Sequence, residues 1–260
     1  MRSTSMIKRC LPLVCGLLLT VTFRLSAEPS PKACAEQLQR PYRAVYQLLD
    51  DDGDAVGQAI RELSFDSASG LWDLKQHSSA KKFFFKDERI EETRFRIHNE
   101  QLFPVEYRYL ISNSFREKTT VEHFDWKHKV AVGQRSDNRQ WRKNIKPGVV
   151  DPLAVQWALR HRLLQQNVWK ANAVITFAVS KKNSIRVENY TVVGHRQCPP
   201  PFGDSDCLVI ERTSGTRLTR SWHASSLCYL PVRIEQYKKG HLQAVAALTE
   251  VRYEPHSGSR

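Results

Sequence analysis

Short stretches of alternating apolar and polar residues cover most of the chain after residue 40. In YRAVYQLL, residues 42–49, the side chains of Tyr42, Ala44, Tyr46 and Leu48 fall on one face. The same period-two pattern recurs in LWDLKQHS, FPVEYRYLIS, AVITFAV and LPVRIEQY. Because successive side chains of a strand point to opposite faces, each stretch predicts a β-strand with one buried face.

Turn-forming residues separate these stretches. The acidic turn DDDGD, residues 50–54, lies between YRAVYQLL and QAIRELSF and predicts a hairpin. Comparable signals return every ~8–15 residues, a spacing typical of antiparallel all-β proteins. We therefore predict an all-β fold, a curved antiparallel meander or half-open barrel. Residues 81–98 fit either the opening of a strand or a cap on one end of the sheet.

One segment, DPLAVQWALRHRLLQQN, departs from the alternation. Asp151 suits the N-cap of a helix, and Pro152 suits the first helical position. We predict one short helix, over about residues 152–165, packed against the sheet. Apolar side chains fall on two nearly opposite sides of this helix, so we expect it to be covered on both. One side carries Leu153, Trp157 and Leu164, and the other carries Val155, Leu159 and Leu163.

The N-terminus resembles a secretory signal peptide. Basic residues precede the apolar run Cys10–Phe23, and small residues follow it up to Ala27. The run is shorter than the ~20 apolar residues of a membrane-spanning helix. We predict cleavage after Ala27, export to the periplasm and no transmembrane span in the mature protein. The predicted organisation is a signal peptide over 1–27, an N-terminal segment over 28–40, a single β domain over 41–254 and a flexible tail over 255–260.

The chain is basic, with a formal net charge of +13. Loss of the leader lowers this charge to about +9, because the leader contains four cations and no acidic residue before Glu28. A positive protein is attracted to anionic surfaces such as phospholipid. The chain has no nucleic-acid-binding motif, so we predict a lipid or other envelope component as partner, and no nucleic acid. The sequence indicates no oligomeric state.

Four cysteines remain after cleavage, and in an exported chain they predict disulfides, with three possible connectivities. Cys198 and Cys207 flank the loop CPPPFGDSDC. A zinc site or a redox pair would need closer spacing of the ligands or thiols, and a catalytic Gly-Asp-Ser turn would need a strand-to-helix elbow. The remaining interpretation is a Cys198–Cys207 bond across a hairpin. It leaves Cys34 and Cys228, whose bond would hold the N-terminal segment.

We identify no catalytic, cofactor-binding or metal-binding residues. The chain lacks a Gly-x-Ser-x-Gly elbow, a phosphate loop and a dinucleotide fingerprint. The DDDGD turn lacks the closing glutamate of a calcium loop. The cluster His123, Asp125 and His128 offers three donors without a fourth. We therefore predict a protein that is not an enzyme.

Two places could contact a ligand. The segment QRSDNRQWRKNIKPG places Arg139 and Arg142 around Trp141, which suits an anionic head group and equally suits a solvated hairpin. Trp157 lies in the predicted helix, where its indole could line the concave side of the sheet. These four residues are the candidate ligand-binding residues.

An ordered set of short motifs resembles the bacterial exported family catalogued as domain of unknown function 3108. The motifs, over about residues 40–250, are FPVEYRY, FDW at Phe124–Trp126, DPLAVQWALR from Asp151, a Pro-Phe-Gly turn at Pro201–Gly203, Trp222, and YLPVRIEQ at Tyr229–Gln236. The resemblance implies a periplasmic all-β protein and, more loosely, the half-open β-barrels of lipoprotein carriers. It implies no activity and no catalytic residues. The cysteines around the Pro-Phe-Gly turn depart from the family's pattern.

Two functions are compatible with these features. The first is a non-enzymatic binding module that holds an amphipathic or lipid molecule of the envelope in the concave face. The second is a structural or protein-interaction module of the cell envelope with a filled core. A cavity of several hundred Å³ inside the sheet favours the first, since that is the size of ligand pockets.

Overall fold

The computed structural model describes residues 29–82, 85–166 and 168–254. The strands are β1 (Tyr42–Leu49), β2 (Ala55–Asp66), β3 (Leu71–Lys82), β4 (Phe85–His98), β5 (Gln101–Asn113), β6 (Arg116–Asp125), β7 (Val130–Arg135), β8 (Gln140–Asn144), β9 (Val149–Val150), β10 (Val174–Lys181), β11 (Ser184–Gln197), β12 (Asp206–Ser214), β13 (Arg217–Ala224), β14 (Leu230–Lys238) and β15 (His241–Tyr253). The helices are α1 (Pro31–Leu38), α2 (Ala154–Leu164) and a 3₁₀ turn (Ser225–Leu227). The predicted signal peptide and C-terminal tail lie outside the described residues.

All fifteen strands form one sheet, in the order β8-β7-β6-β5-β4-β3-β2-β1-β15-β14-β13-β12-β11-β10-β9. Neighbouring strands are antiparallel except β9, which pairs parallel with β10. The first and last strands meet in the middle, with Tyr42 opposite Tyr253. The predicted all-β fold, a curved sheet with a short helix packed against it, is confirmed, and the ambiguous residues 81–98 contribute to β3 and β4.

The chain connectivity shows how strongly the sheet curves. β8 and β9 form its two opposite edges, yet only residues 145–148 connect them. Four residues bridge at most about 18 Å, whereas a flat sheet of this many strands would be about 65 Å wide. The sheet must therefore curl until its edges approach each other. The edge strands β8 and β9 are not paired with each other through backbone hydrogen bonds, so the barrel stays open.

Side chains from the two halves of the sheet meet along this opening, which we call the seam. Glu122 of β6 is 2% exposed. Its carboxylate accepts hydrogen bonds from Ser180 of β10 at 2.6 Å and from the Trp141 indole of β8 at 2.7 Å, and it lies 2.6 Å from the Lys143 ammonium. The Lys143 ammonium also donates to the Lys182 carbonyl. Charge-assisted hydrogen bonds thus hold the two ends of the sheet together.

The helix α2 packs inside the curl, and Asp151 fixes its start. Oδ1 of Asp151 accepts from the backbone N–H groups of Leu153 and Ala154 at 2.9 and 2.8 Å, which is the function of an N-cap. Oδ2 accepts from the Thr93 hydroxyl of β4 at 2.5 Å. The helix begins at Ala154 and ends at Leu164, within the predicted range 152–165.

The helix α1, which occupies the N-terminal segment, was not predicted from the sequence. Ser30 caps it by accepting from Ala33 N, and its buried residues are Cys34 and Leu38. So short a helix has almost no periodic signal and depends on tertiary contacts. The Leu38 carbonyl accepts a hydrogen bond from the Trp157 indole of α2. Neither helix of the described residues has the length and apolar character needed to span a membrane.

Candidate ligand-binding cavity

A cavity of about 660 Å³ lies between α2 and the concave face of the sheet. Val155, Gln156 and Leu159 contribute to it from α2. The two apolar sides of the helix therefore have different surroundings. Trp157 is 3% exposed and packs into the core against Phe95, with ring centroids 5.9 Å apart. On the other side, Leu163 is fully buried, whereas Val155 and Leu159, which are 3% and 5% exposed, border the cavity.

One row of cavity residues is polar and charged. Arg61, Gln76, Glu91 and Tyr109 lie directly opposite one another on β2, β3, β4 and β5. All four line the cavity. Neighbouring strands are ~4.8 Å apart, so Arg61 and Glu91 are about two strand spacings apart, with the amide of Gln76 between them.

A second row is mostly apolar. Leu48, Ala246, Ile234, Ser221 and Ile210 lie opposite one another on β1, β15, β14, β13 and β12. All five line the cavity. This row is offset from the polar row by four residues, because Leu48 is opposite Gly57 and Arg61 is opposite Ala44. The cavity lining therefore contains a polar part and a mostly apolar part.

Exposure distinguishes two ends of the cavity. Arg61 and His223 are 4% and 3% exposed, whereas Arg89, Gln236 and Gln243 are exposed. We call the region around Arg61 and His223 the closed end. A ligand that enters past the exposed residues reaches these two side chains last.

Arg61 is a buried cation without an acidic partner. Its Nε and Nη2 atoms both donate to Oε1 of Gln76, at 3.0 and 2.5 Å. Its guanidinium lies 5.7 Å from the centroid of the Tyr46 ring. Among the described residues, no carboxylate forms an ion pair with it within 4.0 Å. Its direct contacts are therefore a neutral amide and an aromatic face, and the Glu91 carboxylate acts on its charge only from a distance.

The other cavity cations are paired. Arg89 donates twice to Asp87, at 2.8 Å in each case. Glu188 accepts from Arg212 with both oxygens at 3.0 Å and forms an ion pair with Lys181. Each of the three cations thus contacts a carboxylate, although Arg212 and Lys181 share that of Glu188.

Glu91 has a different environment. Burial raises the pKa of its carboxyl, and a hydrogen bond from the Tyr107 hydroxyl at 2.6 Å opposes this rise. Its partner contributes a donor without a full charge. The charges of Arg61, Lys181 and Arg89 also oppose the rise in the pKa of Glu91, so this carboxyl interacts with Arg61 across the row without contacting it.

Ser221 and His223 form the arrangement closest to catalytic chemistry. The Tyr229 carbonyl can only accept, so Nδ1 of His223 carries the proton and donates to it at 2.9 Å. Nε2 then accepts from the Ser221 hydroxyl at 2.9 Å. Burial lowers the pKa of His223 to about 4. A base this weak takes up a serine proton poorly at neutral pH.

The predicted ligand residues do not come together in the structure. Trp157 belongs to the core side of α2, and Trp141 belongs to the seam. Arg139 and Arg142 are exposed on the edge hairpin of β7 and β8. None of the four lines the cavity that the described residues form. The charged cavity residues were missed, although Arg61 shares the phase of buried Ala59 and Leu63, a signal that could have identified it.

The four cysteines form the two predicted pairs. The Sγ atoms of Cys198 and Cys207 are 2.01 Å apart, across the turn between β11 and β12. Those of Cys34 and Cys228 are 2.06 Å apart, which joins α1 to the turn before β14.

The acidic turn offers one group of possible metal ligands among the described residues, Asp50, Asp51 and Asp52. Oδ1 of Asp50 accepts from the backbone N–H groups of Asp52 and Asp54, both at 3.0 Å. This is the role of an aspartate that stabilises a hairpin turn.

Comparisons with known proteins give a family. The model of the family described as "Protein of unknown function (DUF3108)" matches residues 42–246, which confirms the resemblance found in the sequence. No curated protein matches the chain. A solved structure of the Pseudomonas aeruginosa MucA/MucB complex is 6% identical, over 85% of this chain and 96% of that chain, with a TM-score of 0.18.

Proposed function

The chain belongs to the DUF3108 family, and we propose that it is a non-enzymatic binding protein of the periplasm. Its ligand is an amphipathic molecule of the cell envelope, held in the cavity between α2 and the concave face. The observation that carries the proposal is the cavity itself. Its volume of about 660 Å³ is within the range of ~300–1,000 Å³ common to ligand pockets.

The lining supports an amphipathic ligand. The row from Leu48 to Ile210 can bury an apolar body, and each methylene removed from water there stabilises the complex by ~0.8 kcal/mol. The row from Arg61 to Tyr109 can orient a polar group. The filled-core alternative accounts for the buried side chains on both sides of α2, but it gives no role to the cavity beside Val155 and Leu159.

The periplasm is supported by two features. The N-terminal sequence resembles a secretory leader. Both cysteine pairs lie at bonding distance, and disulfides persist in oxidising compartments. The low pKa of His223 favours binding without catalysis, because Ser221 then lacks an effective base at neutral pH.

Native mass spectrometry of the protein purified from its own periplasm tests the proposal. We expect a co-purified amphipathic molecule in the wild type. Ala246→Trp places an indole in the cavity and should remove that molecule. Ala247→Trp is the matched control, because residue 247 is the next position on β15 and points to the opposite face. Ligand-free wild-type protein, or equal occupancy of the two variants, contradicts the proposal.

A further inference from the structure

We infer that the closed end of the cavity is a binding site for one carboxylate, centred on Arg61, and that the amphipathic ligand enters head group first. This inference rests on the proposed function and identifies the chemical class of the ligand as a carboxylate with an apolar body. It differs from the expectation of an anionic head group held at the rim by Arg139 and Arg142.

The first reason is that Arg61 is buried and that no carboxylate of the described residues lies within 4.0 Å of it. A buried guanidinium is unfavourable unless an anion or a full set of acceptors replaces its water. Gln76 supplies one acceptor oxygen for two of its N–H groups. A ligand carboxylate in the cavity can accept from the guanidinium and supply the missing negative charge. Arginine and carboxylate are well matched for this, because both groups are planar.

A second buried arginine reinforces the positive potential. Arg160 of α2 is 2% exposed. Its Nη2 atom donates to the Cys228 carbonyl at 3.3 Å, while its Nε and Nη1 atoms have no hydrogen-bond partner. Arg61 and Arg160 both act electrostatically on Tyr46 and His223. Arg160 does not line the cavity that the described residues form, and neither arginine forms an ion pair with a carboxylate of those residues.

The charges of the lining favour an anion with one negative charge. Arg89, Lys181 and Arg212 already contact Asp87 and Glu188, so Arg61 is the cavity cation without a carboxylate in contact. Asp50 and Glu91 also line the cavity, so the lining contains as many acidic residues as Lys and Arg residues. His223 is neutral, and its Nε2 atom accepts from Ser221, so it does not add a cation. A phosphate dianion would meet too few free donors here.

The apolar surface begins beside Arg61. Ala59 precedes it by two residues on the same face of β2, and Leu48 of β1 is opposite Gly57 of β2. An alkyl chain attached to the bound carboxylate can therefore extend along Leu48, Ala246 and Ile234 towards the exposed end.

Isothermal titration calorimetry with decanoate, 1-decanol and acetate tests the inference. We expect the wild type to bind decanoate at least about tenfold more tightly than decanol, which corresponds to ~1.4 kcal/mol, and to bind acetate weakly. Arg61→Gln should remove the preference for the acid over the alcohol. Arg43→Gln is the control, because this exposed arginine of β1 is paired with Glu62 at 3.2 Å and does not line the cavity of the described residues, and it should keep the preference.

The outcomes separate the two proposals. Equal binding of decanoate and decanol, or an unchanged preference in a folded Arg61→Gln variant, overturns the carboxylate site and leaves the cavity as an apolar binding site. Binding of neither amphiphile overturns the proposed function. Acetate binding as tight as decanoate binding supports the carboxylate site and contradicts an amphipathic ligand. If Arg61→Gln does not fold, the wild-type comparison of acid and alcohol decides alone.

Discussion

The Ser180 hydroxyl of β10 donates to the Glu122 carboxylate of β6 at 2.6 Å, although these strands lie near opposite edges of the fifteen-stranded sheet. This contact belongs to the seam that closes the curl without a backbone ladder. The cavity exists because the sheet curls this far, so the seam and the cavity depend on one another.

Glu122→Ala should strongly destabilise the protein. The substitution leaves the buried ammonium of Lys143 without its carboxylate and removes the acceptor for Ser180 and Trp141. We expect a loss of about 3–5 kcal/mol in the free energy of unfolding, measured by urea denaturation. Glu117→Ala on the exposed part of the same strand is the control and should change stability by less than about 0.5 kcal/mol. Similar losses in the two variants would contradict a structural seam.

Gly133→Ala should also destabilise the seam. A Cβ atom at this position would lie 2.2 Å from Cε2 of the Trp141 indole, which crosses β7 to reach Glu122. We expect the free energy of unfolding to fall by about 1–3 kcal/mol, measured by urea denaturation. Gly203→Ala, whose Cβ would meet its nearest atom at 3.8 Å, is the control. When Trp141 is also replaced by alanine, Gly133→Ala should hardly lower the free energy of unfolding. If Gly133→Ala lowers it as much as before, the indole is not the cause of the destabilisation.

Asp151→Asn should flatten the pH dependence of stability. Burial raises the pKa of Asp151 to about 7, from an ordinary value of 3.8. The folded state therefore binds the proton more tightly, so this contribution to stability is fully present below pH 3.8 and is lost as the pH rises to about 7. Asparagine keeps the capping oxygen but does not titrate.

We expect the stability of the wild type relative to the variant to fall by on the order of 3 kcal/mol between about pH 4 and pH 8. Urea midpoints across this pH range measure the difference. Both proteins contain His223 and Glu91, so the titration of these two groups cancels in the comparison. A difference between the two proteins that stays constant with pH would contradict the raised pKa.

The two disulfides should contribute unequally. Cys34 and Cys228 are separated by 194 positions, and Cys198 and Cys207 by 9. On the chain-entropy model, replacing both cysteines by serine should cost about 5 kcal/mol for the long loop and about 3 kcal/mol for the short one. Thermal unfolding of the two double variants measures the order, and non-reducing peptide mapping checks the pairing. The reverse order would contradict the loop-length argument.

The sequence predicts those parts of the fold in which local pattern and burial agree. Tyr42, Ala44 and Tyr46 share one face of β1 and are all buried, so the period-two pattern identifies this strand although Val45 on the other face is also buried. The helix α2 could also be predicted from the sequence, because Asp151 and Pro152 mark its start.

The cavity could not be predicted from the sequence, because a charged residue on the inward face of a strand gives the same sequence pattern as one on the outward face. Arg61 and Glu91 come together only through strand register, and their inward direction matters only once the sheet curls. The position of Trp141 could not be predicted for the same reason: its partner Glu122 is on β6, and only the closed seam brings Ser180 of β10 to the same carboxylate.

Methyl-resolved NMR during a titration with decanoate tests most directly whether the cavity between α2 and the concave face binds a ligand. The methyl groups of Leu159, Ile210 and Ile234 line the cavity, whereas those of Leu38 and Leu102 belong to the buried core. We predict saturable shifts of the first three signals and unchanged positions for the other two. Unchanged signals from Leu159, Ile210 and Ile234 at saturating decanoate would contradict ligand binding in this cavity.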